Sequence, residues 1–276
     1  MPSFIEFTRE SILANLRAKI TARQPIVAAG CSAGLIAKAA EAGGADLIVV
    51  YSTGRSRIMG LPTTILGDSN AITMQMYDEL HNVVDKTPII GGAWAGDPTY
   101  RRTERLVRSF VDTGYDGLIN FPTEAINPER AKMREHVGQG LGVEAEMMRI
   151  AREMNVFTMA YALTIEQGRI LAAAGADVVV PHAGWTTGGM IGRSDDDTSL
   201  ARSVEHVQEI IDAAAAENPD VICLAHGGAI ATPEDTEYLY ANSDAKGFVG
   251  ASSVERIPIE RAIIDTVKSF AGYNTR

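Results

Sequence analysis

The chain has 276 residues, 46% of them hydrophobic, and a formal net charge of −10. That size supports a substantial core in one large α/β domain or two smaller ones, and the acidic balance argues against nucleic acid or an anionic membrane as the main partner. The only cysteines, Cys31 and Cys223, suit a reduced compartment and give no zinc spacing, and the chain shows neither a basic-then-apolar leader nor an apolar run of spanning length, so a soluble cytoplasmic protein is expected.

In chain order, Ile12, Leu13, Leu16 and Ile20 share one helical face and predict a helix over Thr8 to Arg23, with Thr8 as a cap before Glu10. A strand is expected from Pro25 to Ser32, a helix over Ala33 to Ala42, and a second strand from Leu47 to Thr53. The stretch 54–70 reads as a long irregular loop, a place where function often sits. Then come a helix over Ala71 to Lys86, the strand Pro88 to Trp94, the helix Arg101 to Thr113 and the strand Gly117 to Thr123. A loop rich in glycine and charge leads to the helix Val143 to Met154 and the strand Val156 to Leu163. The helix Ile165 to Ala174, the strand Ala176 to Trp185 and a second long loop over 186–197 follow. In that loop Asp195, Asp196 and Asp197 read as a helix cap before Thr198 and Ser199, or as candidate oxygen ligands for a divalent metal. The helix Ser199 to Ala216, the strand Asp220 to Ala229, the helix Pro233 to Ala241, the eighth strand with its loop over Gly247 to Arg256 and the helix Ile259 to Phe270 complete the chain.

The strands are short, rich in Val and Ile, and not alternating, as in parallel strands covered on both faces. Four helix-to-strand joints, AGGADLIVV, DTGYDGLIN, AAGADVVV and SDAKGFVG, carry a glycine placed to end the helix in a left-handed turn. Eight strand-then-helix units after one leading helix predict a (β/α)8 barrel, a TIM barrel, as a single domain over 1–276. An open doubly wound sheet more often shows a Gly-x-Gly-x-x-Gly turn after its first strand, and AAGCSAG lacks that spacing.

A barrel of this kind builds its site from the C-terminal strand ends. His182 and His226 fall at equivalent places on strands six and seven, as catalytic candidates or as histidines bonding a backbone carbonyl. Gly227, Gly228, Ser252 and Ser253 lie where this fold usually cradles an anion, with Arg55 or Arg256 for charge; equally, the small residues permit tight turns. Glu255 beside Arg256 is also open to reading as a structural ion pair. Ser32, Ser52, Thr53, Asn120 and Tyr161 sit at other strand ends, and Trp94 and Trp185 are placed to wall a pocket. Glu124 is a candidate to orient a base, Cys31 a candidate nucleophile or a small buried hydrophobe, and Asp97 a metal ligand or a cap before Pro98. Met74, Met76, Met147, Met148 and Met154 offer apolar helix faces for core packing or self-association.

The phrases AGCSAGLIAKAAEAGGADLIVVYSTGRSRIMGLP, GGAWAGDP, LINFPTE, VVPHAGWTTGG, LAHGGAIATPED and GFVGASSVERIP together resemble the phosphoenolpyruvate hydrolase-like TIM-barrel family. The same barrel resembles the C-terminal half of a plant tobamovirus-resistance protein. More distantly, the chain is similar to the phosphoenolpyruvate mutase and isocitrate lyase superfamily. That likeness implies lyase or hydrolase chemistry on a small carboxylate or phosphorylated oxoacid, a homo-oligomer, and Mg2+ or another divalent cation held by aspartates ending strands two and three. Here the third strand ends GGAWAGDP, with Asp97 alone near the expected place, and the second ends Tyr51-Ser52-Thr53 with no acid. The expected partner is a small anionic metabolite; the alternative function is a barrel that binds a metabolite or protein without turning it over.

Overall fold

The structure is a computed structural model and describes residues 7–192 and 198–275. Its eight parallel strands are β1 (Ile26–Gly30), β2 (Leu47–Val50), β3 (Ile89–Gly92), β4 (Gly117–Ile119), β5 (Phe157–Ala162), β6 (Val178–Pro181), β7 (Ile222–Cys223) and β8 (Gly247–Gly250). They pair in sequence order with β8 beside β1, and an Ala225–Phe248 bridge joins the β7 side to β8. The Ala225 amide donates to the Gly247 carbonyl at 3.0 Å and the Val249 amide to the Ala225 carbonyl at 2.8 Å, so the sheet closes into the expected (β/α)8 barrel.

The described helices are α1 (Arg9–Thr21), α2 (Gly34–Ala42), α3 (Ser52–Ile58), α4 (Ser69–His81), α5 (Thr103–Thr113), α6 (Pro128–His136), α7 (Leu141–Glu153), α8 (Ile165–Ala173), α9 (Leu200–Glu217), α10 (Pro233–Asn242) and α11 (Ile257–Ala271). Two differ from the sequence reading. Helix α3 occupies Ser52–Ile58, so β2 stops at Val50 and the irregular stretch is shorter than 54–70. Helix α6 lies in the loop between β4 and α7, opened by Asn127 accepting from the Arg130 amide and by a proline in its first turn. A π-helical stretch, Ser252–Arg256, stands where a loop was expected after the eighth strand. The expected cap at Asp195 to Asp197 lies outside the described residues, and the Ser199 side chain caps α9. Thr8 caps α1 as expected, with Ser11 as its reciprocal partner.

Three of the four joint glycines take left-handed backbone: Gly44, Gly114 and Gly175, at φ of 87°, 116° and 93°. The fourth, Gly247, serves a different need: a Cβ there would meet the Ile26 carbonyl oxygen of β1.

The core has two layers. Inside the barrel, Ala28, Val49, Ile90, Met159, Val180, Leu224 and Val249 form one buried cluster, which Ile12 and Leu16 of α1 close from the N-terminal end of the strands. Arg9 anchors that helix through a two-pronged contact with Asp177, just before β6. Between strands and helices lies a larger cluster that includes Leu80, Phe110, Met147, Met148 and Ile210. The methionines thus serve the core: Met76, Met147 and Met148 are buried in this cluster, and Met74 and Met154 are partly buried against it. Helix α11 behaves differently. Of its fifteen residues only Ile257 is buried, while Ile263, Val267 and Phe270 stay exposed. Among the described residues, no helix is long and apolar enough to cross a membrane.

Candidate active site

Alternation along the strands decides what faces the barrel interior. Val178 and Val180 of β6 point inward, as do Ile222 of β7 and Leu224 just beyond it; continuing the same parity brings His182 and His226 inward at the C-terminal mouth. The register is Val178 opposite Ile222 and Val179 opposite Cys223, and it extends to a bridge between His182 and His226. The two imidazoles therefore meet, with ring centroids 4.6 Å apart.

Backbone partners fix their tautomers. The Gly184 amide donates to His182 Nδ1 at 3.1 Å. An amide can only donate, so Nδ1 carries the lone pair and Nε2 the proton. His226 Nδ1 lies 2.7 Å from the Val249 carbonyl, which can only accept, so here Nδ1 holds the proton and Nε2 the lone pair. Both rings are neutral at pH 7. Burial lowers His226 to about 4, with the positive Arg57 adding to the effect against the pull of the Val249 carbonyl. Burial, and then His226 opposite, drives His182 well below its ordinary value. The pair presents one N–H donor and one lone pair.

Both line a cavity of about 320 Å3, in the size range of small-ligand sites. Its aromatic wall is Tyr51, Phe121 and Tyr161; the two tyrosine hydroxyls are 2.7 Å apart, and Tyr161 packs against both histidines. Arg57, Ser252 and Arg256 supply polarity. Arg57 is buried and held by Glu255, with Nε to Oε1 at 2.7 Å. Burial raises the Glu255 carboxyl and Arg57 opposes that shift. Arg256 reaches the Gly188 carbonyl at 2.9 Å and Glu260 at 3.2 Å.

Of the site residues expected from sequence, His182, His226, Tyr161, Ser252 and Arg256 meet at this cavity. Arg55 does not: it turns outward to Glu79, 3.6 Å away, and Arg57, two residues on, enters instead. Cys31 is fully buried and burial pushes its thiol up, away from the thiolate that nucleophilic attack needs. Ser32 lies buried against Gly54, where any Cβ would overlap the serine hydroxyl. Ser52 bonds Ser69 in the core. Gly227 and Gly228 adopt φ of 78° and 60°, and Cβ atoms there would strike the carbonyls of Gly184 and Ala183, so both positions require glycine. The Gly228 amide is spent on the Gly184 carbonyl at 2.8 Å, so these glycines shape a turn. Ser253 lies outside the cavity wall, its hydroxyl buried. Glu255 pairs with Arg57, not with its neighbour Arg256. Asn120 ties β4 to β5 through the Tyr161 amide and carbonyl, and donates to Glu144.

Trp94, Glu124 and Thr53 gather in a second compartment that shares Thr63, Phe121 and Trp185 with the first. Glu124 is fully engaged there, accepting from Trp94 Nε1 at 2.8 Å and pairing with Arg130 and Arg134. Asp97 accepts from Asn70 and from the Thr99 amide and hydroxyl, capping a turn ahead of α5. A magnesium ion needs several free oxygen ligands. No Asp or Glu lines the first cavity, Asp97 and Glu124 are committed, and among the described residues no three potential metal ligands converge. These residues do not fit a magnesium site.

A family model described as phosphoenolpyruvate hydrolase-like matches residues 11–272. The chain belongs to the phosphoenolpyruvate hydrolase-like family. Within reach of this phosphoenolpyruvate hydrolase-like chain, the ToMV resistance protein Tm-1(GCR237) of Solanum lycopersicum is 39% identical over 268 residues, covering 95% of this chain and 35% of that protein. The chain thus spans about a third of the length of that relative. Among solved structures, a phosphoenolpyruvate phosphomutase from Streptomyces platensis subsp. rosaceus aligns with TM-score 0.58 and 19% identity, over 94% of this chain and 87% of that one. Phosphonopyruvate hydrolase in complex with oxalate and Mg2+ aligns with TM-score 0.59 and 16% identity, over 94% and 86%. Such identities establish a shared fold.

The low value at His226 makes a testable statement about stability. Its folded value near 4 lies below the ordinary 6.5, so between these limits the unfolded chain binds more protons and acid favours unfolding. Buried Asp116 and Glu144, raised to about 6 and about 7, act in the opposite sense, so the comparison must be made between variants. From pH 7 to pH 5 wild type should lose roughly 2 kcal/mol relative to His226→Gln. Urea titrations of both at the two pH values check this; an unchanged difference would mean that His226 titrates normally.

Proposed function

We propose that this chain is an enzyme of lyase or hydrolase type acting on a small anionic oxoacid of the phosphoenolpyruvate or phosphonopyruvate kind. The observation that carries this reading is the pair of neutral histidines in unlike tautomers, side by side in a cavity that also holds two arginines. The family description, and the oxalate bound by phosphonopyruvate hydrolase, support the choice of a small anion.

In this reading the substrate anion sits against Arg57, Arg256 and the Ser252 hydroxyl. His226 Nε2 takes a proton from the substrate or an attacking water, and His182 Nε2–H donates to the oxygen or leaving group where negative charge develops. A base near 4 is weak at neutral pH. An anion entering the cavity stabilises the imidazolium and raises His226 toward the working range.

One observation favours a second reading, a barrel that binds without chemistry. Arg57 and Arg256 each already hold a glutamate, which lessens the charge left for a reacting anion. Incubating the full chain with phosphoenolpyruvate, phosphonopyruvate or oxaloacetate and following phosphorus and proton NMR separates the two. The enzyme reading expects conversion that falls about 10²- to 10⁴-fold in His182→Gln and in His226→Gln. Ligand-induced stabilisation without conversion would favour the binding reading.

Self-association through α11 belongs to the same proposal, the occupant being a second copy of the chain. Helices α5, α7 and α9 bury an apolar stripe, whereas α11 leaves Ile263, Val267 and Phe270 uncovered as one stretch of its surface. Sedimentation should show a species larger than the 29.5 kDa chain, reduced to monomer by Val267→Asp with Phe270→Asp. A monomeric wild type at micromolar concentration would contradict it.

A further inference from the structure

The second compartment is a cavity of about 240 Å3 with no part in the proton transfers assigned above. It shares Thr63, Phe121 and Trp185 with the histidine cavity, so the two adjoin at these residues. A three-carbon oxoacid anchored at the histidines leaves it unfilled. Trp94, Trp185, Phe121, Ile65 and Ile126 give it an apolar, largely aromatic surface, beside a polar one of threonines, Glu124 and Asn127. Trp94 is held in place, its ring N–H donating to Glu124 at 2.8 Å and Arg134 stacked 5.4 Å from its ring centre. Such rigid aromatic walls are suited to a planar apolar group.

Arg130 also lines this compartment; its side chain is 48% exposed and pairs with Glu124 through Nε at 3.2 Å. That contact uses one edge of the guanidinium and leaves the terminal fork available for a two-pronged carboxylate contact.

We propose that the substrate is an extended oxoacid: its oxoacid head lies at His182 and His226, a planar apolar substituent lies between Trp94 and Trp185, and a distal carboxylate meets Arg130. This rests on the reading of the histidine cavity as an oxoacid site and adds to it the class of molecule that fits. The substituent is selected by burial of apolar surface and the distal group by charge, so the two contributions respond to different substitutions.

Calorimetric titration of the full chain with oxamate, N-phenyloxamate and N-(para-carboxyphenyl)oxamate tests this, since the three share one head group. The phenyl compound should bind at least about tenfold more tightly than oxamate, in line with burial of an aromatic ring. The carboxyphenyl compound should gain a further factor of about three to ten, as expected for a partly exposed charge-assisted contact. Trp94→Ala should remove the gain from the ring and leave oxamate unaffected. Arg130→Met, a change on the exposed side of α6, should remove the gain from the carboxylate alone. If oxamate binds and the extended compounds bind no better, or if their gains survive both substitutions, the extended substrate is ruled out while the oxoacid site stands. If none of the three binds, the oxoacid reading falls and the extension with it.

Discussion

The pairing of β6 with β7 is the constraint on which the site depends. Parallel register sets Val178 against Ile222, and the same parity four residues later sets His182 against His226 at the barrel mouth. A slip of one residue would turn every side chain of one strand to the opposite face and separate the rings. The tautomers follow from that placement as well, because the Gly184 amide and the Val249 carbonyl are backbone groups with one possible role each. Gly227 and Gly228 contribute indirectly. Only glycine lets the loop after β7 run so close to the carbonyls of Ala183 and Gly184. The fold therefore chooses the protonation pattern, and burial keeps both rings neutral.

A second constraint spans the barrel from its second unit to its eighth. Arg57 on α3 and Glu255 in the π-helical stretch after β8 form a buried pair, and removing one partner of such a pair typically costs about 3–5 kcal/mol. Its value for function is position. The guanidinium is held at the cavity wall without free rotation, beside the aromatic surface of Tyr51 and Tyr161. At the other side Asn120 ties β4 to β5, and Glu144 accepts from Asn120, Thr123 and the Glu124 amide, which fixes the segment carrying Phe121 and Glu124. Both cavities thus rest on buried polar contacts between different units of the barrel.

Much of the architecture was legible in the chain, because short apolar runs alternating with helical periodicity leave few alternatives to a barrel. The strand ends that carry His182, His226, Tyr161 and Arg256 were legible for the same reason. Which way those side chains point was not: strands buried on both faces show no polar alternation, so the inward parity of His182 and His226 left no mark in the sequence. Arg57 was hidden by a different cause. Helix α3 starts after Tyr51 with no side-chain cap and contains Gly54, so it reads as loop. Once it is helical, residues two apart lie on nearly opposite faces, which sends Arg55 to the surface and Arg57 to the cavity. The serines and glycines after the last two strands suggested an anion cradle; the Gly228 amide is spent on a turn and Ser253 lies outside the cavity wall, while Arg256, from the same stretch as the serines, and Arg57, from α3, bring the charge.

The most direct test of the account is the protonation state of the two rings. Long-range proton–nitrogen NMR of histidine side chains, assigned with His182→Gln and His226→Gln, reports on each nitrogen separately. At pH 7 the account expects two neutral imidazoles, His182 with its proton on Nε2 and His226 with its proton on Nδ1. Matching tautomers, or a charged imidazolium at either position, would contradict it.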